Sequence, residues 1–183
     1  MKKLKLIILL AIIFVIASSF KLNIKPKHNN FSAPKVVKAV CIMYPTKDNT
    51  ASGIITFTQT ADGIKVTADL QNLTPGKHGI HIHECGDCSA PDAMSAAGHF
   101  NPAMTKHGSP TTMTCHGGDL GNITADENGK AHLEIVSKMM SFDGEMSIIG
   151  RSVIVHKSED DMTTQPTGNS GARIACGVIG ISK

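Results

Sequence analysis

The chain has 183 residues, enough to bury one full core and too few for a second domain of ordinary size. Its formal net charge of +3 misleads as a guide to partners, because six of the 18 basic residues precede Lys35 and none of the 15 acidic ones does. The remainder is slightly acidic, and with no Trp and one Tyr it offers neither a basic nucleic-acid footprint nor an aromatic platform for stacking bases.

The first segment, "MKKLKLIILLAIIFVIASSF", carries Lys2, Lys3 and Lys5, an apolar run from Leu6 to Ala17, and small residues at Ala17, Ser18 and Ser19. This three-part layout predicts a secretory signal over residues 1–19, cut near Ser19. The alternative is an uncleaved membrane anchor, although the run falls short of the ~20 residues that a spanning helix uses. Cys41 is the first cysteine and too far from the run to carry a lipid, so no stable membrane association is expected once the leader is removed. Residues 20–34, "FKLNIKPKHNNFSAP", read as a flexible tether in which His28 has no assigned role.

From Lys35 the pattern is that of β-strands. "KVVKAVCIMY", "SGIITFTQT" and "GIKVTADLQNL" are rich in Val, Ile and Thr and are divided by turn formers such as Asp62-Gly63 and Pro75-Gly76. "HGIHIHE" follows, and after a long aperiodic stretch come "NITADENGKAHLEIVSK", "MSIIGRSVIVHK" and "RIACGVIGIS". No amphipathic helix is evident. The pattern predicts an all-β domain over residues 35–183, an antiparallel sandwich or Greek-key barrel of about eight strands. Two long loops, Glu84 to Leu120 and Lys157 to Ala172, are long enough to be functional.

In "HGIHIHECGDC" the period of two puts His81 and His83 on one face of a strand and Ile80 and Ile82 on the other. A lone H-x-H is ordinarily a solvated strand face. Here the first loop adds His99, His107, His116 and Asp119, and His156 ends the apolar strand "SVIVHK". Neutral imidazole suits copper and zinc, and a carboxylate can complete a tetrahedral zinc site. Each of these seven side chains has a bland reading alone; together around one strand face they point to metal.

Through "HGIHIHE", "GHFNP", "KHG", "GDLGN", "IIGRSVIVH" and "GNSGARIACGVIG", in that order, the sequence resembles the copper–zinc superoxide dismutases over residues 35–183. The resemblance implies an eight-stranded, immunoglobulin-like Greek-key barrel and disproportionation of superoxide to oxygen and hydrogen peroxide. It assigns His81, His83, His99 and His156 to copper and His99, His107, His116 and Asp119 to zinc, with His99 bridging the two and carrying a proton. Asp160 falls on a carboxylate that joins a copper-ligand and a zinc-ligand histidine, and His78 on a histidine supporting the ligand strand. Arg173 matches an arginine beside the copper that guides the anion; a structural role toward backbone carbonyls is compatible with that one. The same resemblance pairs Cys88 with Cys176 and suggests a bacterial-type exported member, periplasmic, extracellular or at the cell surface. Family members of the other type place the loop cysteine where this chain has Ala93. A homodimer is left open.

Other features stand outside this pattern. Five cysteines in an exported chain suggest at least one disulfide and an odd thiol, without fixing the pairing. "CGDC" invites a thiol-oxidoreductase reading, but no helix or βαβ pattern accompanies it. Cys41 reads as a buried free thiol, and Cys85 and Cys115 as either free thiols or a second bridge. The second loop is shorter than in the eukaryotic members of the family that the sequence resembles and lacks the charged stretch that helps steer superoxide there, so the resemblance leaves steering to Arg173 and to lysines such as Lys106. His132 reads as an ordinary strand residue, and Met94, Met104 and Met113 as incidental rather than a copper relay. Rival readings are a copper carrier on the same fold and a sandwich stabilised by zinc alone.

Overall fold

In the computed structural model the described residues are 35–183; the expected signal at 1–19 and the tether at 20–34, with His28, lie outside them. Eight strands form: β1 (Lys38–Pro45), β2 (Ser52–Gln59), β3 (Ile64–Gln71), β4 (Gly76–His83), β5 (Asp119–Ala125), β6 (Ala131–Ser137), β7 (Ser152–His156) and β8 (Arg173–Ile181). They close into a barrel in the order β1-β2-β3-β6-β5-β4-β7-β8, with β8 against β1 and every pairing antiparallel. The placement of β6 beside β3 and β7 beside β4 makes the crossovers of a Greek key. The fold is the one expected. Among the described residues no helix is long and apolar enough to cross a membrane.

Alternation explains most strands. In β1, Ala39, Cys41 and Met43 point inward while Lys38, Ile42 and Tyr44 face solvent; in β3, Ile64, Val66, Ala68 and Leu70 point inward. Two strands break the rule. β4 is buried at every residue from His78 to His83, and β7 along its whole length. Ile80, Ile82, Val153 and Val155 belong to the barrel core, so the opposite faces of these strands are covered by something else.

That cover is the first long loop. Phe100 N–H donates to Ile82 O at 2.9 Å, Ile82 N–H to Gly118 O at 2.8 Å and Glu84 N–H to Gly98 O at 2.9 Å, so the loop is laced along the end of β4. A Cβ at Gly118 would run into the Ile82 carbonyl, which is why this close approach requires glycine. Phe100 is fully buried, and the Arg151 guanidinium sits 3.7 Å from its ring centroid. Farther along, Ala93 and Ala96 pack on Ile154 of β7 beside Cys176 and Cys88, a small second core outside the barrel.

The Cys88–Cys176 bridge expected from the resemblance is present, with Cα atoms 5.8 Å apart and the partners 88 positions apart in sequence. It ties the first loop to β8. Cys85 is exposed and Cys115 buried, both free, so the second bridge does not form. Cys41 is buried against Met43, its Sγ 3.5 Å from the Met43 sulfur, and burial pushes its thiol pKa up to about 12, which makes it inert. The first loop ends slightly earlier than expected: Asp119 opens β5 opposite His81, although Asp and Gly121 are poor strand formers.

Denatured, unreduced protein is expected to titrate three free thiols; one would mean a second bridge. Replacing Cys88 by Ser is expected to lower stability by about 4 kcal/mol in chemical denaturation, the loop-closure entropy of so long a ring.

Candidate metal centre

β4 and β7 lie side by side, with His81 opposite Ile154, and their covered faces present His81, His83 and His156. The ladder slips between Gly79 and His81 on the β5 side and between Val155 and His156 on the β8 side. Such irregularities re-aim side chains next to sites. His99 arrives from the first loop through an isolated bridge to His83. The four rings gather closely, with His81 and His99 stacked at 4.0 Å and His81 and His156 edge-on at 5.0 Å between centroids.

Each of these rings has one nitrogen without any hydrogen-bond partner: His81 Nδ1, His83 Nε2, His99 Nε2 and His156 Nε2. The opposite nitrogens are occupied. His81 Nε2 donates to Asp160 Oδ2 at 2.8 Å, His83 Nδ1 to Ala97 O at 2.9 Å and His156 Nδ1 to Gly171 O at 3.0 Å. Fixing the N–H on one side fixes the tautomer and leaves a bare lone pair on the other. These four residues form one set of donors able to hold an ion. Burying unpartnered nitrogens is costly, and a soft or borderline cation is the partner that imidazole lone pairs suit.

A second set, His99, His107, His116 and Asp119, shares His99 with the first. Asp119 Oδ1 lies 3.0 Å from His99 Nδ1, 3.0 Å from His107 Nδ1 and 3.3 Å from His116 Nδ1. One oxygen cannot accept three ring N–H groups well. A tetrahedral ion with bonds of about 2.0 Å would separate its ligand atoms by about 3.3 Å, close to these spacings. Asp119 Oδ2 is meanwhile taken up by the N–H groups of Gly108 and His116, each at 3.0 Å. The donor set suits zinc.

Asp160 joins the two sets, with Oδ1 2.9 Å from His107 Nε2 and Oδ2 2.8 Å from His81 Nε2. His78, also buried, is bonded through Nδ1 to the His156 carbonyl and through Nε2 to Thr74 O, each at 2.8 Å, and so buttresses the end of β7. Arg173 Nη1 and Nη2 donate to Ala93 O and Ala97 O at 2.6 Å each. Ala97 O thus receives both Arg173 and His83, placing the guanidinium beside the first set.

The electrostatics follow from this packing. Burial depresses His81 to about 4, with Asp160 opposing and His99 reinforcing the shift. Burial also depresses His83 to about 2 and His156 to about 3, helped by the neighbouring imidazoles and by the Arg173 charge. These rings are neutral at working pH, the form that binds metal. His107 goes the other way: burial disfavours its charge, but Asp119 and Asp160 on its two nitrogens raise it to about 9. Burial would raise both carboxylates, yet bonds from His107, with His99 at Asp119 and His81 at Asp160, hold them well below the usual range. Raised to about 9, His107 is an imidazolium clasped between two carboxylates, and a divalent cation held by this set would compete with its proton.

All the singled-out site residues converge here except the peripheral ones. Lys106 is exposed in the first loop. His132 pairs with Asp69 at 2.7 Å on the outer face of the barrel, and Met94, Met104 and Met113 are exposed. Three contributors escaped the sequence reading. Asn122 closes a reciprocal amide pair with the backbone of Asp160, both bonds 2.8 Å, and Gln165 does the same for His107, both 2.9 Å. Gly168, at φ +66°, lies against the Asp160–His107 contact, where a Cβ would collide with Asp160 Oδ1. Asn122 and Gly168 stand in "GDLGN" and "GNSGAR", motifs that had marked a resemblance without a physical role attached.

Fold and site together define a closed β-barrel with two adjoining sets of donors that could each hold a cation and that share one imidazole. The family model described as copper/zinc superoxide dismutase (SODC) matches residues 51–179. An extracellular superoxide dismutase (Cu-Zn) from Brugia pahangi is 38% identical over 188 aligned positions, 93% of this chain and 94% of the relative. The crystal structure of the clock protein EA4 is similar with a TM-score of 0.76 and 39% identity, covering 82% of this chain and 98% of that one. The chain belongs to the copper/zinc superoxide dismutase family, whose cofactors are copper and zinc.

Two measurements test the site. His81, His83 and His156 have folded-state pKa values below the unfolded value of about 6.5, so metal-free protein loses stability as pH falls from about 6.5 toward about 4. His107 is raised, so its contribution is full below about 6.5 and is lost as pH rises toward about 9. The melting temperature of metal-free protein should therefore peak between about pH 6 and 7; a steady rise from pH 5 to 9 would contradict these environments. Gly168→Ala is expected to destabilise the protein by about 2 kcal/mol or more and to lower retention of both metals, read by calorimetry and elemental analysis.

Proposed function

We propose that the protein disproportionates superoxide, two anions and two protons giving one oxygen and one hydrogen peroxide, at copper held by His81, His83, His99 and His156. Zinc is held beside it by His99, His107, His116 and Asp119. The observation that supports this most is the convergence of four unpartnered imidazole nitrogens on one point, with His99 presenting its other nitrogen to a carboxylate-centred second set. Copper cycling between Cu(II) and Cu(I) supplies the one-electron chemistry, and zinc, which has none, supplies a fixed charge.

The protein's own groups do the rest. Arg173 is anchored by two carbonyls, which leaves further N–H donors and a permanent charge to draw in and orient a small anion. In a slightly acidic domain that local field matters more. His99 spans both sets, so its Nε2 is the position from which a proton reaches the departing peroxide. Asp160 and His78 keep the rings aimed.

Residues 35–183 are the catalytic domain, residues 1–19 a secretory signal and residues 20–34 a tether. Export is supported by the description of the Brugia pahangi relative as extracellular, and the exported chain acts in an extracellular, cell-surface or periplasmic space without stable membrane association. A homodimer is supported by Ile42, Tyr44, Ile54 and Val178, which stand exposed on the neighbouring strands β1, β2 and β8.

Residues 20–183 loaded with copper and zinc are expected to dismutate superoxide. His81→Ala should abolish activity, and Arg173→Ala should lower it roughly tenfold or more, with a weaker dependence on salt. Loaded protein that binds both metals yet lacks activity would overturn the reading.

A further inference from the structure

Gln165 belongs to no motif, yet its carboxamide meets one residue of the second donor set squarely. Its Oε1 accepts the His107 backbone N–H at 2.9 Å, and its Nε2 donates to the His107 carbonyl at 2.9 Å. Nε2 also donates to Thr163 O at 3.2 Å, which ties the amide to its own loop. His107 lies in no strand, and among the described residues Gln165 is the one hydrogen-bond partner of both its backbone groups. A planar amide here does for a loop residue what a neighbouring strand does for a strand residue.

The far end of the same contact is treated alike. Asn122 matches both backbone groups of Asp160, whose carboxylate receives His107 Nε2. The two amides thus hold the two ends of the Asp160–His107 bond, Asn122 from strand β5 and Gln165 from the second loop. Gln165 is itself exposed, so its side chain fills no core position and its replacement leaves the barrel packing alone.

We propose that Gln165 is a positioning residue for the second metal, holding the His107 imidazole in place through the His107 backbone. The proposal rests on the zinc assignment made above. Without the amide, the His107 peptide groups turn to water and the ring is aimed by Asp160 and the ion alone. Zinc then leaves more easily, while the copper ligands, none of which Gln165 touches, keep their arrangement.

The test uses the full copper- and zinc-loaded protein as wild type, Gln165→Ala and Gln165→Glu. Zinc transfer to a chromogenic chelator gives the release rate, and Co(II) in the zinc position reports coordination through its visible spectrum. Gln165→Ala should release zinc roughly tenfold faster, with shifted cobalt bands and an unchanged copper spectrum. Gln165→Glu keeps the acceptor for the His107 N–H but loses the donor to its carbonyl, and should fall between. Wild-type zinc release and an unshifted cobalt spectrum in Gln165→Ala would overturn the proposal. Should that variant fail to fold, an unchanged release rate in Gln165→Glu overturns it equally. If wild-type protein itself gives no tetrahedral cobalt spectrum, the zinc assignment fails first, and the proposal with it.

Discussion

The Asp160 carboxylate, spread between His81 and His107, is the contact on which the arrangement of this molecule turns. His81 belongs to a barrel strand and His107 to the first loop, while Asp160 comes from the second loop. One buried anion therefore fastens both loops to the barrel and both donor sets to each other. It can stay ionised in this dry position because two imidazole N–H groups and the Met162 N–H face it. Asn122 holds its backbone, and Gly168 leaves room for it by having no side chain.

The rest of the fold can be understood as what makes such a cluster tolerable. Seven buried histidines and two buried carboxylates in one region would ordinarily destabilise a domain of this size. Against that stand a closed barrel with no free edge, a long-range disulfide and a second small core of Ala93, Ala96 and Ile154 under the first loop. These devices fasten the first loop to β4 and β7 through contacts that do not involve the unpartnered nitrogens. Ions held by these sets would contribute stability together with function, since an ion that binds only the folded arrangement also pulls the equilibrium toward it. Arg173 shows the same economy: its bonds to Ala93 and Ala97 hold the loop down, and its charge faces the site that the loop covers.

Much of this was legible in the residues. Alternation in β1 and β3 and the H-x-H spacing of β4 follow from the period of a strand, and the metal-binding types in the first loop follow from donor chemistry. What escaped has a common cause. Gln165 and Asn122 act through their amides on the backbone of residues 58 and 38 positions away, and an amide in a loop or on a strand carries no sign of which distant backbone it will meet. Gly168 matters through what a Cβ would strike, a property of the folded chain alone. Asp119 opens β5 against local preference because its pairing with His81 and its ring contacts outweigh propensity. Cys85 and Cys115, close in sequence to ligand segments, differ in exposure and stay apart, and spacing alone gives no hint of that.

The proposed function requires one imidazole, His99, to be shared by two different ions in two different donor sets. Anomalous diffraction from crystals of the copper- and zinc-loaded protein, recorded on either side of each metal's absorption edge, tests it most directly. A copper peak is expected among His81, His83, His99 and His156 and a separate zinc peak among His99, His107, His116 and Asp119, with the His99 ring between them. A single ion, or two ions with His99 bound to only one of them in the oxidised protein, would contradict it.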